Sequence, residues 1–364
     1  VHMEQRQTPA QGPACAIGHS PGVRVHCPVG KGPEAVVSDP DRRRVFVACS
    51  RDNAVTALDL DRAVPVWRAG VGREPIPIVL DKPTERLFTA DARSDTVSVL
   101  DAGTGDRVAQ IPVGAYPAGL GHDPGRRRLF VGNTAGGTIT VVDTDRLTVQ
   151  GTVPAEPGAG SIAVVPGSGR GYCANFLAGS VTVFDADTLQ PLGRIAVREG
   201  PCKVVADPAA RHLYVANSLH GTISRVSLDS DAVLDEVPVE RAPVGMCVDA
   251  AGRRLYVCNR GAGTVSVLDT GSGRESHRIV VGNAPGDCAL DPVTGTLVVS
   301  NAGSGTLTFV DRPWLPAGPA PRTEHPLVGQ PLPDFELPDL RGGRIRTTRE
   351  WAEKRYVINF FASW

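Results

Sequence analysis

The sequence predicts an all-β ring, a seven-bladed β-propeller of 42-residue blades, followed by the incomplete beginning of an α/β segment. Three observations carry the ring. Pro33, Pro75, Pro117, Pro201, Pro243 and Pro285 recur every 42 residues, with Ala159 filling the gap. Two Asp registers keep the same period, Asp39 to Asp291 and Asp59 to Asp311, with Val165 and Ser227 as the exceptions. Gly and Pro, 41 and 31 of 364 residues, make up about a fifth of the chain while aromatics are 5%, which is the composition of many short strands joined by tight turns.

Each repeat reads as four strands. The first follows the Pro, as in Val204-Val205-Ala206, and ends at Asp207-Pro208, where Asp-Pro and the Gly or Arg residues after it make a turn. The second is the apolar run Leu213-Tyr214-Val215-Ala216, echoed by Val45-Phe46-Val47-Ala48 and Leu255-Tyr256-Val257-Cys258. An Asn or Asp follows (Asp91, Asn133, Asn175, Asn217, Asn259, Asn301), expected to bond the backbone of its own turn. The third strand is typified by Thr264-Val265-Ser266-Val267-Leu268-Asp269. The fourth, as in Val108-Ala109-Gln110-Ile111-Pro112-Val113, has a weak apolar signal and carries Pro, which an outer edge strand tolerates. The last copy reaches only its third strand. The missing fourth aligns with Val23 to Gly30, so the N-terminus is expected to close the ring and remove its open edge.

The segments LYVAN (213–217), LYVCN (255–259) and GTVSVLDT (263–270) resemble the YVTN-type seven-bladed propeller repeats, over roughly residues 22–311. The resemblance implies the fold and is almost silent on role, because such rings host many functions.

After Asp311 the composition shifts. The expected organisation is an N-terminal extension (1–21), the propeller (22–311), a stiff Pro-rich linker (312–326) and a final segment (327–364). That segment resembles the opening of redoxin domains, the thioredoxin-fold group that includes TlpA-like and AhpC-like proteins. The matching features are Pro333-Asp334-Phe335, Leu337-Pro338-Asp339, a Gly342-Gly343 turn, a short helix near Arg349 to Lys354 and a strand from Tyr356 to Phe361. The resemblance implies a nucleophilic cysteine of a Cys-x-x-Cys pair directly after Ala362-Ser363-Trp364, at a helix N-terminus that favours thiolate. The catalytic residue of that chemistry is therefore expected at position 365, just past Trp364, either as a thiol or as a selenocysteine encoded by UGA. A frameshift, a fragment end and a chosen boundary are the competing readings of the end at Trp364.

Composition narrows the partners. With 38 Lys+Arg against 39 Asp+Glu there is no basic excess, so nucleic acid is not an expected partner. No apolar run approaches ~18 residues, so no membrane span is expected. Residues 1–30 show no signal-peptide pattern. The chain as it stands reads as cytoplasmic, and as extracytoplasmic if its N-terminus is incomplete. The eight cysteines contain no Cys-x-x-Cys pair and the eight histidines share no register, so neither a metal site nor a cofactor is expected. Cys173, Cys247, Cys258 and Cys288 read as small buried hydrophobes.

The innermost strand of each blade faces the channel. One register there reads Ala35, Pro77, Gly119, Ser161, Lys203, Gly245, Asp287, and the position before it reads Glu34, Ile76, Ala118, Gly160, Cys202, Val244, Gly286. Glu34, Cys202, Lys203 and Asp287 are the candidates for a channel-mouth site, set against a plain solvated lining or a Lys–Asp pair across it. The constant period leaves no long loops of the kind that build enzyme sites. Three functions follow as expectations. The first is a binding platform fused to a thiol or selenol disulfide/peroxide oxidoreductase. The second is a non-catalytic propeller that takes a protein or small molecule at its face or channel. The third is a lactonase- or lyase-type propeller using Lys203, Asp287 and Glu34.

Overall fold

The computed structural model describes residues 23–313, except 210 and 312, together with 336–338 and 345–347. The chain divides into two compact units, Val1–Ala317 and Gly318–Trp364.

The first unit contains seven four-stranded antiparallel sheets, arranged as a β-propeller. Six are built from consecutive strands, the blades at 33–70, 75–112, 117–154, 159–196, 201–238 and 243–280. The seventh joins both ends of the ring. Pro285–Leu290, Leu297–Asn301 and Thr306–Val310 take Val23–Pro28 as their outer strand, with Cys27 opposite Leu307 and Pro28 opposite Thr306. The edge left open by the short last copy is thus paired, as the alignment of Val23 to Gly30 anticipates.

The core lies between blades. One position of the second strand reads Phe46, Phe88, Phe130, Tyr172, Tyr214, Tyr256 and Val298, all buried. Each side chain packs into the neighbouring sheet, as Phe46 does against Ile78, Leu87 and Leu100. Burying one such ring contributes roughly 2–3 kcal/mol. Six blades supply one aromatic each at this position and the seventh a valine, so 5% aromatics suffice. The outer strands carry exposed residues such as Val66, Val108, Val149 and Leu192, which is why their apolar signal is weak.

Two polar registers hold the hairpins. Asp101 accepts the backbone N–H of Gly103 and Thr104, both at 2.8 Å, and Asp59, Asp143 and Asp185 do the same two and three residues on. The Asn after the second strand behaves differently from expectation. Its side chain reaches across the hairpin instead of bonding its own turn. Asn259 Nδ2 donates to Thr264 Oγ1 at 3.1 Å and Ser266 Oγ at 2.9 Å, and Asn133, Asn175, Asn217 and Asn301 repeat the pattern. The turn closes by backbone bonds alone, Ala262 and Gly263 donating to the Asn259 carbonyl. The amide is left to satisfy the hydroxyls of the buried third strand.

Near the axis the sheets approach closely. A Cβ on Gly119 would lie 1.8 Å from the Gly160 carbonyl oxygen of the next blade, so only glycine fits there.

In the second unit, Glu336–Pro338 pairs antiparallel with Ile345–Thr347, Leu337 standing opposite Arg346. Gly342 and Gly343 lie in the chain between them. The helix expected near Arg349 to Lys354 and the strand from Tyr356 to Phe361 fall outside the described residues, as do the extension 1–21 and most of the linker. The α/β character expected for 327–364 has no support among the described residues, which show that strand pair and no helix there.

Candidate functional site

The seven inner strands converge on the ring axis and enclose a cavity of about 230 Å³. Its wall takes residues from every blade. It includes both inner-strand registers set out above except Gly160 and Gly245, together with Arg260. Crowding explains why most of the wall is small. A Cβ on Gly245 would meet Gly286 O at 2.4 Å, and one on Gly286 would meet Glu34 O at the same distance.

Lys203 of blade five and Asp287 of blade seven meet inside this wall, Nζ to Oδ2 at 2.8 Å, with 27% and 14% of their side chains exposed. A second cavity, about 440 Å³, lies further along the same strands and shares Lys203 and Asp287 with the first. Its wall adds Ser38, His122, Cys247 and Cys288. The ion pair therefore stands between the two spaces. Burial works against the Lys203 charge, yet the Asp287 carboxylate beside it holds the ammonium above its ordinary range. Burial also raises Asp287, and Lys203 offsets this only in part. The Asp287 backbone N–H donates to Ser300 Oγ at 2.9 Å, which fixes the strand beside the carboxylate. Asp287 Oδ1 is buried and has no hydrogen-bond partner among the described residues.

At the mouth, Arg260 grips Glu34 with both terminal nitrogens, at 2.7 and 3.2 Å. Glu34 opens blade one, and Arg260 follows the second strand of blade six. The fork geometry makes this a two-point clamp, and the carboxylate raises Arg260 despite burial.

Cys202 also lines the first cavity, but its thiol is turned into the protein, donating to Pro243 O at 3.3 Å and Ala216 O at 3.6 Å. Burial pushes it up to about 12, so the neighbouring Lys203 does not activate it. In the second cavity, burial pushes His122 down against the pull of Asp81 and Asp123. Among the described residues, no group of three or more His, Cys, Asp or Glu is placed to hold a metal ion.

The four residues singled out from the sequence thus sit on one wall. Three more that matter were missed. Arg260 had a signal: its register reads Ser50, Ala92, Thr134, Phe176, Ser218, Arg260, Ala302, with one charge in seven. Cys247 and Cys288 had a fainter one. They are 41 residues apart, one short of the period, which sets them on neighbouring inner strands.

No family model and no curated protein matches the chain. Among solved structures, a chain of Kuenenia stuttgartiensis hydrazine synthase superposes with a TM-score of 0.71 at 18% identity, over 77% of this chain and 95% of that one. At that identity the likeness shows the fold alone. With 1707 solved chains matching, the ring is a widely used scaffold, and the role must be argued from the site.

Proposed function

We propose that the ring is a binding platform whose axial cavity takes a small polar ligand carrying both an anionic group and a hydrogen-bond donor, such as a short amino or hydroxy carboxylate. One observation carries this reading. A wall of small residues holds a cation and a carboxylate in contact, and Asp287 Oδ1 is left without a donor. A ligand donor satisfies that oxygen, and a ligand carboxylate shares the Lys203 ammonium. Lys203 is held charged by Asp287, and Glu34 is clamped by Arg260. Both facts favour binding over the proton transfer that a lactonase or lyase requires. Thermal-shift measurements with glycine, alanine, glycolate and lactate at millimolar concentration test the reading. At least one is expected to raise the melting temperature of the wild type and not of Lys203→Met. Equal shifts in both proteins, or none in the wild type, would overturn it.

The second reading is that 327–364 opens a thioredoxin-like domain, so that the platform serves a thiol- or selenol-dependent oxidoreductase with its catalytic residue at position 365. The match of Pro333-Asp334-Phe335, Leu337-Pro338-Asp339 and Gly342-Gly343 to the opening of redoxin domains supports it. The coding sequence past codon 364 tests it. A cysteine or in-frame UGA codon, then two codons and a cysteine, is expected; a frame closed by further stops contradicts it.

A further inference from the structure

We propose that Cys247 and Cys288 form a redox-active dithiol in the channel wall, closed to an intramolecular disulfide by a small peroxide and reopened by an external dithiol. The inference depends on neither reading above. Its basis is geometric. The two sulfurs lie 3.3 Å apart, on the inner strands Pro243–Asp249 and Pro285–Leu290 of neighbouring blades. A disulfide needs about 2.05 Å, a shortening of the order of side-chain rotation. Both residues line the 440 Å³ cavity, so a molecule the size of hydrogen peroxide has a route to them. Cys247 is partly exposed and Cys288 is buried at 4% exposure.

The surroundings divide the roles. Hydrogen bonding with Cys247 and Cys258 pulls Cys288 well below the ordinary thiol range; burial opposes this and the Lys203 ammonium assists. Cys247 and Cys258 move the other way, Cys247 chiefly through its bond to Cys288, Cys258 chiefly by burial. In this proposal Cys288 takes the attack and Cys247 the resolving step; the Cys247 sulfur lies 3.3 Å away, and Cys247 is the more exposed of the two. The Cys288 thiolate attacks one peroxide oxygen, the O–O bond breaks, and a proton completes the departing water, leaving Cys288 as a sulfenic acid. The Cys247 sulfur then attacks the Cys288 sulfur, its proton leaves with the hydroxyl as a second water, and the S–S bond forms. Two thiols give up two electrons in all, and one peroxide is reduced to two waters. The bond ties blade six to blade seven and removes the thiolate beside Lys203, so the charge of the channel changes with oxidation.

The test uses the intact chain. Native protein is treated with a few equivalents of hydrogen peroxide, alkylated with N-ethylmaleimide, digested with trypsin and read by mass spectrometry. The three cysteines fall on three different tryptic peptides. The expected product is a Cys247–Cys288 cross-linked peptide, formed in wild type and Cys258→Ser, and lost on treatment with dithiothreitol. In Cys247→Ser the expected product is a Cys288 sulfenic or sulfinic acid instead, with a circular dichroism melt confirming that the variant is folded. A cross-link through Cys258, oxidation of Cys288 in wild type without any cross-link, or reaction only after unfolding would each overturn the proposal.

Discussion

Asp287→Asn keeps the shape of the channel wall and deletes one charge, which isolates the worth of the ion pair. Lys203 then keeps its ammonium beside a neutral amide, 2.8 Å from where the carboxylate stood. Removing one partner of a fully buried pair costs ~3–5 kcal/mol. Here 27% of the Lys203 side chain and 14% of the Asp287 side chain still meet solvent, so the loss is reduced to about 2 kcal/mol. For a ring of this size that lowers the melting temperature by roughly 3 °C. The double variant Lys203→Met/Asp287→Leu removes both charges in similar volume and is expected to recover to within ~1 kcal/mol of wild type. Chemical denaturation of the wild type, Lys203→Met, Asp287→Leu and the double variant gives the coupling energy directly. A loss under ~0.5 kcal/mol for Asp287→Asn, or a double variant as unstable as the sum of the singles, would refute the idea that each charge is held by the other.

Three further outcomes follow from the same structure. Asn259→Ala leaves the hydroxyls of Thr264 and Ser266 without their amide and is expected to cost about 2 kcal/mol by denaturant titration. Gly119→Ala sets a Cβ 1.8 Å from a neighbouring carbonyl oxygen that belongs to rigid backbone, so a loss of ~3 kcal/mol or more is expected in the melt. Backbone N–H donors hold Asp101, Asp143, Asp185 and Asp269 below the usual carboxylate range. A depressed folded-state pKa gives stability that is complete above the unfolded value and is lost as pH falls through the folded one. Melting temperature is therefore expected to fall from about pH 5 downward, and Asp→Asn at 101 and 143 should flatten that fall.

The ring was legible because one physical unit is written seven times: the Pro that starts the inner strand, the Asp that caps the turn and the apolar second strand recur at 42 residues. Even closure could be read, since Val23 to Gly30 is a fourth strand without its blade. The site was legible where it follows the same register, which is why Glu34, Lys203 and Asp287 could be picked from one strand position and its neighbour. It was not legible where partners come from different registers. Arg260 reaches Glu34 across 226 residues, and Cys247 meets Cys288 one position out of step. The Asn register was seen but misassigned. Periodicity shows that a polar residue recurs, and only the pairing of second and third strands shows that its amide meets hydroxyls five and seven residues on. Cys202 fails as a reactive thiol because strand neighbours face opposite ways, Lys203 to the axis and the sulfur to buried carbonyls.

The central claim is that the Lys203–Asp287 wall recognises a ligand and does more than line a pore. Isothermal titration of glycine and lactate into wild type and into Lys203→Met/Asp287→Leu measures this most directly, because the double variant is expected to stay folded while losing both charges. Saturable heat in the wild type and none in the double variant is the expected result. Equal binding to both proteins, or heat in neither, would contradict the claim.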